Sequence, residues 1–202
     1  MGDSSSSGRR GGKDYVPMYR RRRSGATNYG ARKKAISSRG TLLAVTISGK
    51  NVSAQFIRPT VTGDVVLASA HSHTLRKLGW TGSLKSVPAC YLLGLWAGKR
   101  AKEKGIESAF LYNGVAPFVK GTRIPAFVKG VIEGGVEIPF SEEAMPSEER
   151  IRGETIAKYA EELAKDKQAY DAMFSRLLKQ DFRPEDYAKH QSRVRDAIVG
   201  AK

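Results

Sequence analysis

The period of the apolar residues changes twice between residues 42 and 132, and that alternation limits the folds open to the chain. Leu42-Leu43-Ala44-Val45-Thr46-Ile47 is a short run rich in β-branched residues, closed by Ser48-Gly49-Lys50-Asn51, a composition suited to a tight turn. Val52, Ala54 and Phe56 then alternate with Ser53 and Gln55 until Pro59, which is the two-residue period of a half-buried strand. After Gly63-Asp64, Val65-Val66-Leu67-Ala68 makes a third strand. Connections this short pair the three strands antiparallel.

From Ser86 the period becomes helical. Ser86 is placed to cap, Pro88 falls in the first turn, and Ala89, Leu92, Leu93 and Trp96 form one stripe. Lys99, Arg100, Lys102 and Lys104 favour the negative end of the dipole, and Gly105 suits a left-handed cap. Gly94 and Gly98, four apart, are expected to let this helix approach the sheet closely. Ala109-Phe110-Leu111-Tyr112 reads as a buried parallel strand. A second helix carries Ile124, Phe127, Val128, Val131 and Ile132 and ends at Gly134-Gly135. An antiparallel meander followed by β-α-β-α implies a three-layer α/β fold, a mixed sheet with helices on its faces and a layout like that of ribonuclease H.

Beyond Pro139 the pattern is helical. Ser147 with Glu148 and Glu149 opens a helix bearing Ile156, Tyr159, Ala160 and Leu163; Tyr170, Met173, Phe174, Leu177 and Leu178 stripe another; Pro184 opens a last one towards Gly200. These stripes need cover, from the chain's own core, from each other or from a neighbouring protein.

Charge divides the chain in three. Residues 1–34 hold ten basic and two acidic residues, residues 35–140 thirteen and five, and residues 141–202 twelve and thirteen. The domains expected are therefore a basic RNA-binding arm at 1–34, an α/β core at 35–140 and a helical C-terminal extension at 141–202. The arm, with Ser4 to Ser7, Gly8, Gly11 and Gly12, has little to bury and reads as a flexible segment that orders on a partner. A net charge of +15 implies a polyanionic partner. The lone Cys90 excludes an internal disulfide, and no apolar run approaches membrane length, so no membrane partner is expected.

Candidate chemistry is sparse. His71-x-His73 lacks a third ligand nearby, so no metal and no cofactor are expected. Gly94 to Arg100 has neither the spacing nor the Ser or Thr of a phosphate loop. A two-metal nuclease, the enzyme that the layout suggests, needs several carboxylates converging on the sheet; Asp64 stands alone at a strand edge. The chain is read as no enzyme.

A resemblance then emerges. Gly25-Ala26-Thr27-Asn28-Tyr29-Gly30-Ala31-Arg32-Lys33-Lys34, Lys77-Leu78-Gly79-Trp80, Pro88 to Leu95, and Lys129-Gly130-Val131 with Gly134-Gly135-Val136-Glu137-Ile138-Pro139 resemble, in this order, the signatures of the archaeal and eukaryotic large-subunit ribosomal protein family that binds 5S rRNA, number eighteen in bacterial and archaeal naming. Glu148-Glu149-Arg150-Ile151, Gly153, Ile156 and Tyr159 are similar to its archaeal extension, and Phe140 stands where that family usually has His. The resemblance implies a translational-machinery fold and a cytoplasmic place in the large ribosomal subunit. The implied role is structural, holding 5S rRNA against 23S rRNA in the central protuberance. The implied partners are both RNAs and neighbouring large-subunit proteins, including the other 5S-binding protein.

Cations in an arm can follow phosphates while tyrosines between them, Tyr15, Tyr19 and Tyr29, stack on bases or riboses. By position the primary RNA contacts are Arg20, Arg21, Arg22, Arg23, Tyr29, Arg32, Lys33 and Lys34, with Lys50, Lys120 and Arg123 second. Trp80 reads equally as core or as an RNA platform. The alternatives are a non-ribosomal RNA-binding protein and a ribonuclease-H-like nuclease.

Overall fold

A computed structural model describes residues 17–200. The three expected strands form β1 (Leu42–Ile47), β2 (Val52–Pro59) and β3 (Asp64–His71), and a short β4 (Phe110–Tyr112) adds parallel to β1, giving the order β3-β2-β1-β4. β2 pairs antiparallel with both neighbours, with a bulge between Phe56 and Ile57. Leu43, Val45, Val52, Ala54, Phe56, Ala68 and Ala70 point to one face and build the main core. Leu42 and Ile57 point to the other, where they form a small second cluster with Ala35.

In the basic arm the structure places two helices, α1 (Arg20–Arg23) and α2 (Tyr29–Ser38), where a flexible segment was expected. α2 runs across the 34/35 boundary and covers the second cluster, so this face of the sheet is one outer layer of the fold. Tyr15 and the Ser/Gly-rich start lie outside the described residues.

α3 (His73–Lys77), a single turn with no sequence signal strong enough to anticipate it, leads into α4 (Val87–Glu103) on the main-core face. The ends of α4 are as read: the Ser86 hydroxyl accepts the Ala89 N–H, Pro88 occupies the first turn, and Gly105 is left-handed at φ +75°. α5 (Arg123–Glu133) packs on α4. Gly94 and Gly98 serve that crossing, not contact with the sheet. A Cβ on Gly98 would sit 2.6 Å from the Val131 carbonyl oxygen, and one on Gly94 would fall on that of Phe127. Gly130 of α5 and Gly134, which caps it, reciprocate. β4 is parallel as read but not buried: Phe110 is half exposed, because only three residues pair and the sheet's edge lies there. Beside it Glu137 makes one parallel bridge with Ser108, a rudimentary fifth position.

The single helix expected after Ser147 is two, α6 (Glu148–Arg152) and α7 (Glu154–Leu163), broken at left-handed Gly153. A Cβ there would meet the Tyr187 ring at 2.6 Å. α8 (Lys167–Leu178) is capped by the Asp166 carboxylate, and α9 (Tyr187–Gly200) follows a 3-10 turn at Pro184–Asp186. α9 shares the main core through Tyr187, Val194 and Ile198. The Lys99 ammonium closes its far end by donating to the carbonyls of Ile198 and Val199 at 2.8 and 2.6 Å. Among the described residues no helix is long and apolar enough to cross a membrane.

Candidate nucleic-acid interface

An ion pair adds to the apolar contact of Ala35 in holding the arm to the sheet. The Arg32 guanidinium grips the Asp64 carboxylate with both prongs, at 2.5 and 2.7 Å, and that hydrogen bonding raises its pKa above the ordinary value. Arg32 therefore anchors α2 instead of presenting a free cation, and Asp64, the one acid at a strand edge, is occupied. Asn28 caps α2, its side-chain oxygen accepting the Ala31 N–H at 3.0 Å. Ala35 faces inward, so Lys33 and Lys34, on neighbouring positions of the turn, are left exposed.

Ahead of the cap, Arg20 to Arg23 are all exposed on a single turn, which the left-handed Gly25 closes. The Arg21 guanidinium donates to the Thr27 hydroxyl, bending α1 back towards α2. Between arm and sheet lies an open cleft of about 520 Å³ lined by Arg21, Thr27, Asn28, Tyr29, Tyr112 and Val115. Tyr29 is 47% exposed, its ring free for stacking.

Val115 also lines an adjoining cleft of about 410 Å³, with Thr46, Ile47, Asn113, Pro117 and Arg123. Arg123 opens α5, exposed and with no acid in the first turn to offset the positive end of the dipole. Lys50 projects from the adjacent β1–β2 turn, where the Ser48 hydroxyl accepts the Asn51 N–H at 3.1 Å. Lys120 lies 3.7 Å from Glu143, both largely in solvent, a pairing too weak to withdraw the lysine from other anions. The structure thus brings Arg21, Tyr29 and Arg123 onto two clefts that share a wall. The sequence reading missed Tyr112 and Asn113. Tyr112 turns to the arm's face because a strand alternates about Leu111, a signal that the continuous apolar run concealed. The side-chain oxygen of Asn113 is buried and has no hydrogen-bond partner among the described residues.

Other candidate groups are structural. Trp80 is core, not platform: its indole N–H donates to the Ser83 carbonyl at 3.2 Å, and its ring packs edge-on to Tyr187 and stacked on His190. Burial pushes the Cys90 thiol up to about 12, so it stays protonated and unreactive. His71 and His73 stack with centroids 5.1 Å apart, and among the described residues no three His, Cys, Asp or Glu converge as metal ligands.

Comparison with known proteins follows the same lines. The family described as ribosomal large subunit proteins 60S L5 and 50S L18 matches residues 13–107. The large ribosomal subunit protein uL18 of Aeropyrum pernix is 43% identical over 194 residues, 95% of this chain and 90% of that protein. The uL18 of Methanothermobacter thermautotrophicus is 39% identical over 187 residues, 93% of this chain and 96% of its own. That of Thermofilum pendens is 38% identical over 193 residues, 95% and 98%.

Proposed function

The chain belongs to the uL18 family of large-ribosomal-subunit proteins, which are not enzymes, and we propose that in the cytoplasmic large subunit it binds 5S rRNA and fastens it to 23S rRNA in the central protuberance. The observation that carries this reading is the arm: four exposed arginines on one turn, folded back by the Arg21–Thr27 hydrogen bond towards α2, which carries Tyr29, Lys33 and Lys34 and is clasped to the sheet by Arg32–Asp64. Structured RNA is bound through its phosphates and through stacking on bases that leave the helix. A turn of exposed guanidinium forks beside an open tyrosine-lined cleft offers both kinds of contact. Arg123 and Lys50 extend the same surface past Val115. Neighbouring large-subunit proteins, including the other 5S-binding protein, complete the assembly.

The test is a salt titration of 5S rRNA binding by the full chain and by R20Q/R21Q/R22Q/R23Q. If each of the four arginines neutralises a phosphate, the slope of log affinity against log salt becomes shallower by roughly three to four units. An unchanged slope would remove α1 from the RNA.

A further inference from the structure

The C-terminal extension has almost as many bases as acids, and on summed charge alone it should not attract a polyanion. The fold separates those charges. Between the loop at residues 181–183 and the start of α9 lies an open cleft of about 400 Å³ lined by Asp181, Phe182, Arg183, Asp186, Lys189, His190 and Arg193. Lys189, His190 and Arg193 fall on one face of α9, three, four and seven residues after Asp186, the last residue of the 3-10 turn before it. Two of the three local carboxylates are engaged: Asp186 pairs with Lys189 at 3.2 Å, and Glu185 accepts the Tyr170 hydroxyl at 2.8 Å, which leaves the exposed Asp181 to face three cations, Arg183, Lys189 and Arg193. Among the described residues Arg183 and Arg193 are exposed and have no ionic partner. Arg76 lies close by, donating to the carbonyls of Trp80 and of Thr81, the residue that also holds His190.

The histidine between the arginines is fixed. Its Nε2 accepts the Thr81 backbone N–H at 3.1 Å, so the proton of the neutral ring sits on Nδ1, and the ring lies between Trp80 and Phe182. The cleft therefore combines two unpaired guanidinium forks with a rigid aromatic carrying a ring N–H donor.

We propose that this cleft is a second RNA-backbone site, which takes the phosphates of an RNA segment other than the one on the arm. Guanidinium forks match phosphate oxygens two at a time, and the inference rests on the ribosomal reading for its choice of RNA over an acidic protein segment. Its position argues for a separate segment. The arm covers one face of the sheet through Ala35, whereas α9 docks on α4, which covers the other. A chain gripping RNA from both sides of its sheet fastens two RNA elements together.

The experiment measures binding of the full chain to 5S rRNA and, separately, to protein-free 23S rRNA across a salt series, for wild type and R183Q/R193Q. The variant is expected to hold 5S rRNA within twofold. Its 23S slope should be shallower by roughly two units, with affinity at moderate salt down at least tenfold. The wild-type complex read by an arginine-specific reagent such as phenylglyoxal should show Arg183 and Arg193 protected by 23S rRNA, which requires no variant to fold. Unchanged slopes for both RNAs together with unprotected arginines would overturn the proposal. So would an unchanged 23S slope with lost capture of an acidic ribosomal protein. Failure of wild type to bind 5S rRNA, with the 23S loss still seen, would sink the proposed 5S role and leave the second site standing.

Discussion

At the scale of single residues, two side chains have roles that composition alone would not assign. Arg32 reads as one more phosphate ligand among ten cations, yet Asp64 holds both its prongs. The pair is partly exposed, at 23% and 32%, so solvent screens it and its contribution is modest. A double-mutant cycle on Arg32→Gln and Asp64→Asn should return a coupling of about 0.5–1 kcal/mol by urea unfolding; zero coupling would mean that α2 docks without the clasp. His190 is the second. Burial, and then Arg193, lowers its pKa below the ordinary 6.5, so the unfolded chain takes up a proton that the folded chain resists. The stability from the neutral ring is complete above about pH 6.5 and is lost as pH falls from there through the folded pKa. Protonation at Nε2 would set one N–H against that of Thr81. Docking of α9, followed by protease resistance of residues 181–200, should weaken between pH 7 and pH 5 in the wild type. In His190→Gln, which cannot titrate, this pH dependence should be absent.

Among elements, the tightest fit is the crossing of α4 and α5, where Gly94 and Gly98 face Gly130 and Gly134 with backbone on backbone. Gly130→Ala would drive a methyl onto the Tyr91 carbonyl and to 2.7 Å from the Leu95 nitrogen. Overpacking of this kind costs about 1–3 kcal/mol, whereas Gly49→Ala, in the open β1–β2 turn, meets nothing within 4 Å and should cost far less. Equal urea midpoints for the two variants would mean that the helices slide apart freely. The same crossing marks where the sequence stops being legible. Strand alternation, the Ser86 cap and the left-handed Gly105 are local events, and residues 42–105 announce them without reference to anything distant. A four-residue glycine spacing announces only that some backbone comes close; whether it is the sheet's or α5's depends on packing between elements. Gly153 is a similar case, since its break serves Tyr187, thirty-four positions on. For the interface, the arginine run was legible as charge. Its folding back through Thr27, and the wall that Tyr112 gives the cleft, were not, because both are tertiary.

For the whole molecule, the proposed RNA grip of the arm and the structural body overlap, and the overlap falls inside α2. Cutting the chain before Asn28 would remove α1 and its four arginines yet keep the α2 cap, the Arg32–Asp64 clasp and the cover over Leu42 and Ile57. That truncation should unfold at the same urea concentration as the full chain, while its 5S rRNA salt slope becomes shallower by at least roughly three to four units. Cutting after Ser38 would also strip α2. Ala35 is lost from the second cluster, Leu42 and Ile57 face water on that side, and Asp64 loses its partner. Apolar area at roughly 25 cal/mol per Å² over parts of three side chains gives a loss on the order of 2 kcal/mol. The two truncations thus separate what one deletion at residue 34 would mix, namely phosphate contacts and a structural layer. If the longer truncation kept the full chain's midpoint, α2 would be a tail resting on the sheet. If the shorter one lost stability, α1 would be bracing the fold as well as gripping RNA. The arrangement argued above requires the opposite in each case: an arm whose first turn binds and whose second helix holds it in place.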